Sequence, residues 1–136
     1  MITTVCRKEH FNAAHRLHIE EWTDDENKSF FGLCNNKNYH GHNYELIVKV
    51  TGKVDERTGY LIDMKFLSDL IKQEVLLPFD HQNLNLDVKD FNKLNPTAEN
   101  IACVIYHKLK NKLAKHYELS IVLYETPRNF IEYNGK

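Results

Sequence analysis

The chain has 136 residues, 42% of them hydrophobic, and its 18 basic and 19 acidic side chains leave a net charge of −1. That length predicts one domain over residues 1–136, and the balanced charge, free of like-charged blocks, leaves no footprint for binding nucleic acid or a membrane surface. No apolar run approaches the ~20 residues of a membrane helix. Met1–Lys8 lacks the apolar core of a signal peptide, and three widely spaced cysteines (Cys6, Cys34, Cys103) argue against a disulfide framework and for a reducing, cytoplasmic setting.

Residues 2–17 predict a strand, with Val5, Arg7, Glu9, Phe11, Ala13 and His15 on one side. Residues 18–39 are polar and predict a long loop with one helical turn; loops of that length inside a compact domain are usually functional or disordered. Residues 40–54 alternate cleanly, with His42, Tyr44, Leu46, Val48 and Val50 on one face. Asp63 predicts a cap for a helix over 64–77, whose buried stripe is Leu67, Leu70, Ile71 and Val75 and which Pro78 follows. After an irregular stretch, Asn95 and Pro96 predict the cap and first turn of a helix over 96–115 that buries Ile101, Val104, Ile105, Leu109 and Leu113. Strands over 119–126 and 129–134, joined by a hairpin, end the chain. The order ββααββ predicts an α+β fold, a four-stranded antiparallel sheet with both helices on one face.

His40-Gly41-His42 is the sharpest local signal among eight histidines. In an extended segment residues i and i+2 point the same way, so both imidazoles can reach one metal ion. Alone, such a pair is better explained by exposed loop histidines. His15 changes that balance, because it closes the strand expected to pair with the one His42 opens. Three imidazoles without an obvious fourth ligand suit zinc with an open coordination position. His10, His18, His107 and His116 read as surface or loop residues. Cys34, in the polar loop, could be a fourth ligand, a reactive thiol or a bystander, while Cys6 and Cys103 read as small core residues.

Asp80-His81 lies in an irregular segment, where a carboxylate beside an imidazole can make a proton carrier near neutral pH. Glu125 ends the apolar row Leu119, Ile121, Leu123, so either Arg128 or a lysine satisfies its carboxylate or a ligand's N–H groups do. Thr97 and Glu99 open the second helix, where a polar first turn also complements the helix dipole.

Taken together, the chain resembles the 6-pyruvoyl-tetrahydropterin synthase family, including its queuosine-pathway branch, the 6-carboxytetrahydropterin synthases. The resemblance runs through Phe11-Asn12-Ala13-Ala14-His15-Arg16-Leu17, Phe31-Gly32-Leu33-Cys34-Asn35-Asn36, His40-Gly41-His42-Asn43-Tyr44, Asp80-His81-Gln82-Asn83-Leu84, Pro96-Thr97-Ala98-Glu99-Asn100 and Leu123-Tyr124-Glu125-Thr126. It implies the tunnelling fold, with subunit sheets joined into a barrel, usually in a hexamer of two stacked trimers with sites between subunits. It implies Zn2+ on His15, His40 and His42, Cys34 as base, His81 oriented by Asp80 as its partner in proton transfer, and Glu125 as anchor of the pterin ring with Thr97 and Glu99 nearby. The substrate implied is 7,8-dihydroneopterin triphosphate.

Five residues separate Cys34 from His40, and together with the preceding acidic loop that spacing resembles the pyruvoyl-forming branch of tetrahydrobiopterin biosynthesis. Lys37 and Tyr39 depart from the Pro and Gly common there. The alternative is a 6-carboxytetrahydropterin synthase of queuosine biosynthesis acting on the same substrate. A protein of another class, binding zinc or a pterin without turnover, would make Cys34 a fourth ligand.

Overall fold

The computed structural model describes residues 1–136. Two long strands, β1 (Ile2–His15) and β2 (His40–Lys53), pair antiparallel along their whole length, from Ile2 opposite Lys53 to His15 opposite His40. The sheet continues through β4 (Glu118–Tyr124) to β5 (Phe130–Tyr133), both antiparallel to their neighbours. Inward-facing side chains on these strands alternate with exposed ones as the pleat requires: Tyr44, Leu46, Val48 and Val50 are buried, and Glu45 is not.

The sheet has five strands rather than the four expected: with β3 (Gln82–Asn83) at one edge, the order is β3-β1-β2-β4-β5. The extra strand is two residues long and runs parallel to β1 beside Ala13 and Ala14. It is the end of the stretch that crosses back after the first helical arm.

That arm runs from α2 (Met64–Ile71), capped by Asp63 as expected, through a widened π-turn (Lys72–Leu76) into α3 (Leu77–Phe79). Pro78 therefore sits inside the last turn and does not follow the helix. The widened turn lies directly before a ring that would crowd the carbonyl four residues back in a regular helix. Short α4 (Leu84–Asp87) leads to α5 (Ala98–Lys110). Thr97, not Asn95, caps α5, accepting the Asn100 N–H at 3.3 Å, so the helix starts two residues later than expected. Leu67, Ile71 and Val75 of the first arm and Ile101, Ile105 and Leu109 of α5 pack with Phe11, Tyr44 and Leu46 into one apolar core on a single face of the sheet.

Residues 18–39 are more regular than a loop. They hold α1 (Asp24–Phe31), whose N-terminus is a capping box between Thr23 and Glu26, and a 3-10 turn over Gly32–Asn35. Cys6 is exposed on the outer face of β1, contrary to the core placement expected, because it alternates with Val5 and Arg7. Cys103 is half-buried.

Candidate metal centre and adjoining cavities

At one end of the β1–β2 ladder the inward face changes from apolar to imidazole. His15 lies opposite His40, and His42 lies opposite Ala13, so the three rings converge with centroids 4.5, 4.9 and 5.0 Å apart. Each offers one nitrogen within 4.8 Å of the others.

The hydrogen bonds decide what those nitrogens can do. His15 Nδ1–H donates to the Pro96 carbonyl at 2.8 Å, which leaves its Nε2 as a lone pair facing His40 Nε2 at 2.9 Å. His42 Nε2 and His40 Nδ1 are buried without any partner. Buried polar atoms are rarely left in that condition; a cation on the lone pair of His42 Nε2 satisfies that atom, and the same ion can take His15 Nε2 and one nitrogen of His40. Burial, reinforced by repulsion from His40 and His42 and opposed by the Pro96 bond, lowers the His15 pKa to about 4. Burial first, and His42 second, lowers that of His40. Neutral imidazoles at neutral pH are what metal binding requires. The residues present therefore fit a metal ion, with the Pro96 carbonyl fixing the ring of His15 as outer-shell acceptors do.

Tyr44 lies beneath the cluster, fully buried, its hydroxyl 3.4 Å from His15 Nδ1. Burial raises its pKa most, and the nearby charges of Glu125 and Cys34 add to the shift. Cys34, half-buried in the 3-10 turn, is held by its own carbonyl, which accepts the Leu17 N–H at 2.9 Å.

Asp80 and His81 form a pair at the β3 edge of the sheet. Asp80 Oδ1 accepts the Asn12 N–H at 2.9 Å, and Oδ2 lies 3.0 Å from His81 Nδ1. The Asn12 N–H, followed by His81, holds the Asp80 carboxyl below its usual range. His81 also donates its backbone N–H to the Asn12 carbonyl at 2.7 Å and adopts a left-handed φ of 59°, which turns its ring outward into solvent.

Two cavities meet at Glu125. One, of about 480 Å³, is lined by Thr97, Glu99, Glu125 and Arg128 among others. The second, of about 710 Å³, carries His10, His42, Tyr44, Glu45 and Glu125. Glu125 makes no ion pair, with Arg128 or with any lysine, so its carboxylate is free to accept from a ligand. The fold thus brings Thr97, Glu99 and Glu125 together and joins them through Glu125 to His42. Cys34, Asp80 and His81 line neither cavity. Sequence reasoning missed Pro96 and Tyr44 as supports of His15. Tyr44 continues the His40, His42 alternation and could have been found, whereas a backbone carbonyl leaves no sequence signal.

A sheet with one helical face, ending in a histidine cluster that could hold a metal beside a cavity with an unpaired carboxylate, has the architecture of the tunnelling-fold enzymes. Comparison with known proteins narrows this. A profile of the family described as "6-pyruvoyl tetrahydropterin synthase" matches residues 4–136. The putative 6-pyruvoyl tetrahydrobiopterin synthase of Caenorhabditis elegans is 42% identical over 135 residues, covering 98% of this chain and 96% of that protein. A solved structure of C. elegans 6-pyruvoyl tetrahydropterin synthase superposes with a TM-score of 0.94 at 40% identity, covering 100% of this chain and 97% of that one. A 6-carboxy-5,6,7,8-tetrahydropterin synthase of Rickettsia conorii is 30% identical, covering 93% of this chain and 96% of that protein. The chain belongs to the 6-pyruvoyl tetrahydropterin synthase family and is an enzyme of its lyase type.

Proposed function

We propose that this lyase converts 7,8-dihydroneopterin triphosphate to 6-pyruvoyl-tetrahydropterin with release of triphosphate, using Zn2+ held by His15, His40 and His42. The observation that carries the reading is the shared cavity: His42, with its buried unpartnered nitrogen, and Glu125, with its unpaired carboxylate, line one space. Zinc bound there supplies a Lewis acid that makes the hydroxyl and adjacent C–H groups of the substrate side chain more acidic.

The chain's own residues do the rest. Glu125 accepts from the amide and amino N–H groups of the pterin, a bidentate charge-assisted contact, with Thr97 and Glu99 at the same wall. The Thr97 oxygen is engaged as a helix cap, and its O–H remains free to donate. Cys34 removes a proton from the side chain, and His81, oriented by Asp80, exchanges protons with it. Hydrogens move from side chain to ring and the triphosphate C–O bond breaks, so no external reductant enters.

Assembly completes this site. Asp80-His81 sits at the β3–β1 edge of the sheet and Glu125 next to β5 at the other, and both edges are unpaired within one chain. Exposed edges invite pairing with another copy. Joining the β5 edge of one copy to the β3–β1 edge of the next would bring Asp80-His81 towards the neighbour's Glu125 cavity, which supports a homohexamer of two trimers with shared sites. Light scattering coupled to gel filtration should give a multiple of the 16.1 kDa chain; a monomer at micromolar concentration would rule out shared sites.

The five-residue spacing from Cys34 to His40 and the higher identity to relatives bearing the pyruvoyl name support that product over the 6-carboxy one. Mass spectrometry of products formed from 7,8-dihydroneopterin triphosphate tests it. Triphosphate together with 6-pyruvoyl-tetrahydropterin is expected, and 6-carboxytetrahydropterin would move the chain to the queuosine branch.

A further inference from the structure

Beyond His15 the chain leaves the sheet, and its backbone must find partners elsewhere. Asparagine side chains supply most of them. Asn85 accepts the Arg16 N–H at 2.8 Å and donates to the Arg16 carbonyl at 2.9 Å. Asn95 accepts the His18 N–H at 3.2 Å, and Asn27 both accepts from Ile19 N–H and donates to its carbonyl at 2.8 Å. Arg16 to Ile19 is therefore a strap to which α1, α4 and the segment before α5 are tied.

The tie to the 3-10 turn is the densest. The Leu17 N–H donates to the Cys34 carbonyl at 2.9 Å, and Arg16 Nε–H donates to the Asn35 carbonyl at 2.9 Å. In the other direction Asn35 Nδ2 donates to the Leu17 carbonyl at 2.7 Å and to His18 Nδ1 at 3.0 Å. Four hydrogen bonds thus join residues 34 and 35 to the three residues that follow His15. Asn35 is also one of only three buried polar or charged side chains, with His15 and Asn27. A buried amide with both donor hydrogens engaged tolerates few other positions.

We propose that Asn35, supported by Arg16, is the positioning residue that fixes Cys34 against the histidine cluster. The inference rests on the reading of that cluster as the metal centre. The clamp is anchored to the residues that directly follow His15, so the turn carrying the thiol and the imidazole are referenced to the same two or three peptide units. A change at Asn35 moves the thiol without removing a contact of His15, His40 or His42.

The test compares the rate at which iodoacetamide alkylates Cys34 in zinc-loaded and zinc-stripped protein, read on the Cys34 peptide by mass spectrometry so that Cys6 and Cys103 do not interfere. In the wild type the two rates should differ by on the order of tenfold, because a cation nearby changes thiolate character. In Asn35→Ala the ratio should collapse towards one while zinc content stays at the wild-type level, and kcat should fall roughly 10–100-fold with KM little changed, as a displacement near 1 Å can cause. Val75→Ala, a core truncation in the π-turn, controls for general loosening and should keep the wild-type ratio. Should Asn35→Ala fail to fold, Arg16→Lys keeps the charge but loses the Nε–H bond, and should shift the ratio in the same direction by less. A folded Asn35→Ala or Arg16→Lys protein with the wild-type ratio overturns the proposal. Persistent turnover in Cys34→Ala would sink the base role instead, while the alkylation ratio would still report the clamp.

Discussion

The two ends of the β1–β2 ladder are built on different physics. Away from the histidine cluster, Leu46, Val48 and Val50 of β2 share one apolar core with side chains of α2 and α5, so removal of apolar area from water supplies the stability. At the His15–His40 end the inward face is imidazole, and the chain beyond it is held by directional bonds from Asn27, Asn35, Asn85 and Asn95. Burial is forgiving of shape and tolerates similar side chains. Hydrogen bonds fix position but add little net free energy, about 0.5–1.5 kcal/mol each. The difference teaches that substitutions at the two ends should fail differently, one in stability and the other in function.

The largest separation is expected from Cys34→Ala. Removing a general base costs roughly 10²–10⁴ in rate, yet zinc content by elemental analysis and the melting temperature should hardly change. Loss of zinc along with turnover would make Cys34 a ligand and erase the distinction. Leu67→Ala is the mirror image. It should lower unfolding free energy by about 2–5 kcal/mol in denaturant titration, with kcat preserved below the new melting temperature, because Leu67 is fully buried in the aliphatic half.

Glu125→Gln sharpens the contrast at the boundary of the two ends. The shape is retained but one acceptor oxygen becomes a donor, which should weaken binding of a stable pterin analogue by roughly 1.5–3 kcal/mol in calorimetry. Unchanged affinity in a folded, zinc-loaded variant would return Glu125 to a structural role. The smallest effect belongs to Thr23→Ala, which removes the side-chain acceptor for the Glu26 N–H at 3.2 Å. A stability loss of about 1 kcal/mol, confined to α1 in hydrogen exchange, is expected for a lost N-cap.

The aliphatic half was legible because its signal is periodic. Tyr44, Leu46, Val48 and Val50 alternate, and Leu67, Ile71 and Val75 recur at helical spacing, so the sheet, both main helices and the convergence of His15 with His42 could be read from the order of residues. The polar end was legible only in its side-chain types. Strand β3 is two residues long and carries no period. The capping box at Thr23 and Glu26 was present in the sequence, but α1 has no strong apolar stripe and reads as loop. Asn95 and Thr97 are both good caps; the structure uses Thr97 because the Asn95 side chain is engaged by the His18 N–H. Cys6 was misplaced by composition, which favours buried cysteines, against an alternation that points it outward. The Pro96 carbonyl and the asparagine strap depend on partners about 10 to 80 residues away, and no local pattern announces them.

The central claim is that His15, His40 and His42 hold the metal on which turnover depends. Elemental analysis of chelator-stripped protein after reconstitution with zinc, for the wild type and for His42→Ala, tests it most directly. About one zinc per chain in the wild type, recovered together with turnover, and most of it lost in His42→Ala is the predicted result, since two remaining imidazoles hold zinc poorly. Full zinc occupancy in a folded His42→Ala protein, or turnover by stripped wild type, would contradict the account.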